Sequence, residues 1–151
     1  MPAVQSSYTA LPPLGYPGMI ANGETGNRIS RTVDDAAGVA FGVPVFRGAI
    51  DHSCTATPTA GALLGIVIAD HAVQVIPGGP AADIMPQRST AGILTLGDIW
   101  ITAGSNTTAG AAAFVTNASV ITATASGNIA LPGWVFDDTV ASGAVVRLVR
   151  R

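Results

Sequence analysis

Apolar residues in this chain come in short runs rich in valine and isoleucine. Glycine, proline, asparagine or aspartate breaks these runs at roughly every 8–12 residues, the spacing of a β-sandwich or barrel. No run carries a 3.6-residue apolar stripe of helix length. Residues 29–33 (Ile29-Ser30-Arg31-Thr32-Val33) alternate apolar and polar, and Asp34-Asp35 with Gly38 follows as a turn. Residues 39–50 form an apolar strand segment interrupted by Gly42 and Pro44, which predicts a bulge or an edge position. Residues 63–69 are a continuous apolar run, short for a helix and too β-branched to favour one. Residues 90–103 read as two strands, or one bent strand, broken at Gly97-Asp98. Further strands are predicted at 111–117, 120–124, 128–130 and 144–149. The expected fold is therefore all-β, a single β-sandwich or barrel (jelly-roll-like), with the choice between the two left open.

The first 28 residues differ in texture. Pro2, Pro12, Pro13, Pro17 and four glycines rule out a helix interior or a central strand. The stretch is expected to be extended, with polyproline character around Leu11-Pro12-Pro13. It nonetheless carries Tyr8, Leu11, Leu14, Tyr16, Met19 and Ile20, residues that solvated tails are poor in. The domain reading is an extended arm over residues 1–28 and an all-β domain over 29–151. The arm docks either on another molecule or back on its own domain.

Composition narrows the function. Only 11% of the residues are charged, there is no lysine, and Glu24 is the only glutamate. Average soluble proteins are about 25% charged. Two causes fit: surface buried against other subunits, or compositional drift in a GC-rich genome. A net charge of −2 with scattered arginines argues against nucleic-acid binding. No apolar run approaches the 18 or so residues that span a bilayer, so no membrane association is expected. The first residues do not read as a secretion signal. Cys54 stands alone, so no internal disulfide is possible, and its role is left open.

Catalytic and metal chemistry find little support. Asp51-His52-Ser53-Cys54 holds an acid, a base and two nucleophiles, but neighbours on an extended chain point to opposite faces. It reads as a polar loop before the turn-like Thr55-Ala56-Thr57-Pro58. Asp70-His71 reads as the exposed end of a strand. Two histidines and one cysteine lack metal-ligand spacing. The doublets Asp34-Asp35 and Asp137-Asp138 suit weak calcium binding or, more ordinarily, solvated turns. Gly78-Gly79-Pro80 belongs to no phosphate-binding motif. No catalytic residue, cofactor or metal ligand is expected. Trp100 and Trp134 lie in strand text and read as core, or else as interface anchors.

Several pieces resemble one family in the order in which they occur. Leu14-Gly15-Tyr16-Pro17-Gly18-Met19-Ile20-Ala21 resembles the N-terminal signature of cement (head decoration) proteins of tailed bacteriophages. Ile29-Ser30-Arg31-Thr32-Val33, Ala40-Phe41-Gly42-Val43-Pro44-Val45 and Gly65-Ile66-Val67-Ile68-Ala69-Asp70 are similar to its next strands. Leu96-Gly97-Asp98-Ile99-Trp100-Ile101 and Ala144-Val145-Val146-Arg147-Leu148 resemble its later ones. The stretch 72–89, with Gly78, Gly79, Pro80 and Pro86, departs from the pattern and reads as an irregular loop.

The resemblance implies a virion protein on the outer capsid surface, assembled in the host cytoplasm, that bridges neighbouring major capsid subunits. It implies a homo-dimer or homo-trimer. The residues expected at capsid or inter-subunit contacts are Tyr16 and Met19 as anchors, with Leu11, Leu14 and Pro17 beside them. Arg28, Arg31, Arg47 and Arg147 are expected to meet acidic capsid patches. The alternative is a β-domain that recognises host-surface glycans, which would require Trp100 or Trp134 to be exposed.

Overall fold

A computed structural model of the chain describes residues 14–72 and 81–151. Among these residues all regular structure is strand. The strands are β1 (Asn27–Val33), β2 (Val39–Ala40), β3 (Pro44–Arg47), β4 (Ser53–Thr55), β5 (Leu63–Val67) and β6 (Ile84–Met85). They continue with β7 (Thr90–Thr102), β8 (Ala112–Val115), β9 (Ile121–Thr122), β10 (Ile129–Phe136) and β11 (Val145–Arg150).

Strand β7 is the spine, and it serves two halves of the molecule. Its first part pairs antiparallel with β1 on one side (Arg28↔Leu94, Arg31↔Ala91) and with β5 on the other (Ile66↔Leu94). From β5 the ladder runs to β3, then β4, and β4 returns parallel to β1. Five strands thus close on themselves as a small barrel, which leaves no free edge along that ring. The second part of β7 pairs with β11 (Arg150↔Gly97 to Val145↔Thr102), and the sheet continues through β10 and β8 to β9. Strand β9 bends back to the end of β7, where the Gly104 N–H donates to the Ile121 carbonyl at 2.7 Å. The Thr122 hydroxyl donates to the Ser105 hydroxyl at 2.9 Å beside it. β7 changes partners at Gly97, where φ is +128°, a conformation that side chains resist.

Alternation along the strands sorts side chains into two cores. Ala91 and Ile93 point into the barrel with Val33, Val45, Cys54, Leu64, Val67 and Met85. Leu94 points the other way and joins Phe46 and Ile66 from the barrel wall. These three pack into the second core with Ile99, Ile101, Leu131, Trp134, Phe136, Val146 and Leu148. The wall of one half is therefore part of the core of the other. Val45 and Phe46 are consecutive on β3, so ordinary strand alternation sends one side chain to each core.

The expected all-β class holds, and both a closed barrel and a second curved sheet are present. Three local readings need correction. Ser53 and Cys54, expected in a polar loop, are buried in β4, because Cys54 packs as a small apolar side chain in the barrel. Ile84 and Met85, inside the stretch expected to be an irregular loop, form β6 and pair with β2. The short strand expected at 128–130 runs on to Phe136, with exposed Pro132 and Gly133 taken up at a register shift between Ala130 and Val135.

Candidate functional site

Leu11 lies outside the described residues. The signature around Gly15 and Gly18 lies against this chain's own domain. The Gly18 N–H donates to the Trp100 carbonyl and the Trp100 N–H to the Met19 carbonyl, each at 2.8 Å. The Ala21 N–H donates to the Asp98 carbonyl at 3.0 Å, and Ile20 bridges Ile99. The segment therefore occupies the side of β7 that β11 leaves free. Its glycines are dictated by contact. A Cβ at Gly15 would stand 2.5 Å from the Trp100 indole carbons. One at Gly18, where φ is +86°, would stand 2.8 Å from the Ala69 nitrogen and from Phe41 Cβ. The close approach at these two glycines is thus made to the chain's own Trp100, Ala69 and Phe41.

This docking leaves Leu14 83% exposed and Tyr16 44% exposed. Tyr16 and Pro17 form one wall of a groove of about 540 Å³ at the seam between the two halves. Phe41 and Val43 line it from the barrel side, and Thr102, Val120 and Ile121 from the other half. His71 lies against both aromatic rings, with centroids 5.2 Å from Tyr16 and 5.8 Å from Phe41. Val120 is 42% exposed at the rim. Sequence reasoning found Tyr16 and Pro17 but missed Phe41, His71 and Val120. Only the packing of the two halves brings these distant residues together, so no local pattern marks them.

The expected arginines divide into two groups. Arg28 and Arg47 are exposed, and Arg31 is half-buried, its guanidinium donating to the Ser30 carbonyl at 2.7 Å. Among the described residues no carboxylate pairs with these three. Arg147 is different. Its Nε and Nη2 donate to the two oxygens of Asp138 at 2.9 and 2.7 Å, a bidentate fork. Asp137 lies 3.1 Å from the same guanidinium and Asp98 3.9 Å from it. The fork holds the Asp138 carboxyl below the ordinary range. Asp98 is shifted the opposite way, because its burial outweighs the attraction of Arg147. Asn22 donates to Asp98 at 2.8 Å, and Glu24 pairs with Arg151 at 3.1 Å, so this network also fastens the segment after Ile20.

The remaining polar candidates are structural. Asp34 accepts hydrogen bonds from the Ser53 hydroxyl at 2.5 Å and the Ala49 N–H at 2.8 Å, which lower its pKa in that order. Asp35 accepts from the Thr55 hydroxyl at 2.7 Å and the Ala56 N–H at 2.6 Å. Through these bonds the doublet latches the β1 exit to β4 and the turn after it. Among the described residues no cluster of acids, histidines and cysteine is fit to hold a metal. In the Asp51-His52-Ser53-Cys54 string, Asp51 and His52 face solvent while Ser53 and Cys54 are buried. Burial pushes the Cys54 thiol up to about 11, with Asp35 and Asp34 adding to the shift, which suits an inert core cysteine. Trp100 and Trp134 are buried, 8% and 1% exposed.

A family model described as structural cement protein (E217 gp24/Pam3 gp6), a phage family, matches residues 4–151. Among solved structures, a chain from the capsid of Myoviridae phage XM1 superposes with a TM-score of 0.73 at 16% identity. That match covers 97% of this chain and 96% of the other, and at this identity it is a likeness of fold. The head fiber gp8.5 N base of bacteriophage phi29 aligns with a TM-score of 0.46 at 13% identity, over 84% of this chain and 95% of that one. No curated protein matches the chain.

Proposed function

This chain belongs to the phage structural cement protein family, and from that premise we propose that it sits on the outer surface of the head and ties neighbouring major capsid subunits together. Family membership makes it a virion structural protein associated with the phage capsid, not an enzyme. The observation that carries the finer reading is the open apolar groove with Leu14, Tyr16 and Val120 exposed at or beside its rim. Exposed apolar groups gathered around one groove suit a partner surface better than solvent.

The arginines supply a second kind of contact. Arg28, Arg31 and Arg47 have no carboxylate partner within the described residues, so their guanidinium groups are available to an acidic capsid patch. Arg147 is less available, since Asp137 and Asp138 already occupy its fork. A homo-dimer or homo-trimer on a local symmetry axis would repeat such contacts and turn modest affinities into tight seating. The glycan-binding alternative required an exposed tryptophan platform, and both tryptophans are buried.

Co-sedimentation with shells of the same phage that lack this protein, before and after expansion, tests the reading. Saturable binding at a fixed ratio to capsid subunits is expected. Failure to pellet with either form would remove it. A truncation used in this assay should stop at residue 13, because residues 18–21 bond to β7 and their loss would strip that side of the strand.

A further inference from the structure

We propose that a second, smaller cleft, built around Arg150 where the barrel meets the other sheet, binds a carboxylate side chain of the capsid protein. The inference rests on the cement reading for its partner, and it adds a formed site to the contacts drawn from exposed arginines.

The cleft takes its walls from both halves of the molecule. Thr59 and Leu63 reach it from the barrel, Pro132 and Arg150 from the second sheet, and the buried Phe46 also lines it. Its volume of about 150 Å³ is well below that of a drug-sized ligand site and suits one side chain.

Arg150 is pinned at this place. It is half-buried, and its Nη1 donates to the Thr95 carbonyl at 3.2 Å. Its stem lies along the backbone at Gly133, where a Cβ would stand 3.1 Å from Nε and 3.5 Å from Cγ. The φ of Gly133 is +80°, which also disfavours a side chain there. A guanidinium carries five N–H donors. The bond to Thr95 uses one, and among the described residues Nε and Nη2 meet no acceptor. A guanidinium already held in position loses little freedom on binding, and its planar fork matches a carboxylate.

The chain's own acids do not fill this role. Residues 1–13 and 73–80 carry no charged side chain, so every aspartate and the one glutamate lie among the described residues. Arg147 takes Asp98, Asp137 and Asp138, and Arg151 takes Glu24. Asp34, Asp35 and Asp70 accept hydrogen bonds within their own turns and latches. None pairs with Arg150. Asp51 and Asp83 alone remain to be offered to a second copy, whereas family membership places capsid subunits beside the chain. The capsid protein is therefore the source that the proposal names.

The test is co-sedimentation with shells that lack this protein, using the full chain and three variants. Arg150→Gln should weaken shell binding by about thirtyfold or more while the melting temperature stays close to the native one. Arg150→Lys should recover only part of the loss, because it restores the charge and not the fork. Thr59→Glu leaves Arg150 intact and supplies a carboxylate from the cleft wall, so it should weaken binding to a similar extent by occupying the site.

Native-level pelleting of Arg150→Gln would overturn the proposal. So would native-level pelleting of Thr59→Glu beside an Arg150→Gln protein that melts early, since Arg150 would then serve the fold alone. Sedimentation velocity without shells gives the remaining outcome. If Arg150→Gln and Thr59→Glu lose self-association but keep shell affinity, the acid belongs to a second copy and the proposal falls. Native pelleting with unchanged variants sinks this inference and leaves the cement reading standing, whereas a native chain that does not pellet removes both.

Discussion

Replacing Phe46 with alanine tests whether the two halves of the molecule are one cooperative unit. Phe46 sits on β3, a barrel strand, yet its fully buried ring belongs to the core that contains Trp134, Phe136 and Leu148. Truncating a buried phenylalanine to alanine costs about 3–5 kcal/mol through lost transfer energy and the cavity left behind. A domain of ordinary stability has about 5–15 kcal/mol to lose. At about 2–4 °C per kcal/mol for a chain of this size, the melting temperature should fall by roughly 6–20 °C. The control is Met85→Ala, which removes a side chain buried in the barrel core alone, at a cost of about 2–5 kcal/mol. Calorimetry together with near-ultraviolet circular dichroism, which reads the buried tryptophans, should give a single transition in each protein. Both substitutions should move that one transition. Two separate transitions would refute the shared-wall account, as would a Trp134 signal that stays in place when Phe46 is truncated.

Gly15→Val drives a branched side chain into the Trp100 indole; an overpacking cost of about 1–3 kcal/mol and faster hydrogen exchange at the Gly18 and Trp100 amides are expected. The carboxyls of Asp138 and Asp34 have depressed pKa values in the folded state, so the stability they contribute is complete above the ordinary carboxylate range and lost as pH falls through their lowered values. Urea titrations from pH 7 to pH 3 should therefore show a steep acid-side loss that Asp138→Asn makes shallower. Asp98 has the opposite sign: its raised pKa contributes stability below the unfolded value, and this is lost as pH rises through the folded one. Asp98→Asn should accordingly gain on the native protein between pH 4 and pH 7, and a gap that does not change with pH would count against burial as the cause. Arg28→Gln, Arg31→Gln and Arg47→Gln together should weaken shell co-sedimentation and flatten its dependence on salt without lowering the melting temperature appreciably.

Much of the strand content was readable because period-two alternation and β-branched runs are local. Residues 29–33 and 63–67 became β1 and β5, and the break at Gly97-Asp98 marks where β7 changes partners. The short strands were not readable. Ser53–Thr55 and Ile84–Met85 are too brief for any period to show, and they are strands only because β1, β3 and β2 lie beside them. The candidate site was half legible. Exposed Leu14 and Tyr16 stand in a motif that sequence singles out, but Phe41, His71 and Val120 carry no such mark. Arg147 shows the same limit for charge. Its type suggested an outward contact, while its place opposite Trp100 in the ladder sets it among Asp98, Asp137 and Asp138.

The sequence by itself determined that this chain is all-β and where several of its longer strands lie. These are properties of residue type and short-range spacing, which chain sterics and burial preference express within a few positions. The tertiary structure alone decided that β7 serves two halves, that the wall of the barrel is also core for its neighbour, and that a groove opens at their seam. Alternation says which face of a strand is buried but not against what, and closure of the barrel, choice of partner strand and the shape left between two packed halves arise only from contacts between distant residues.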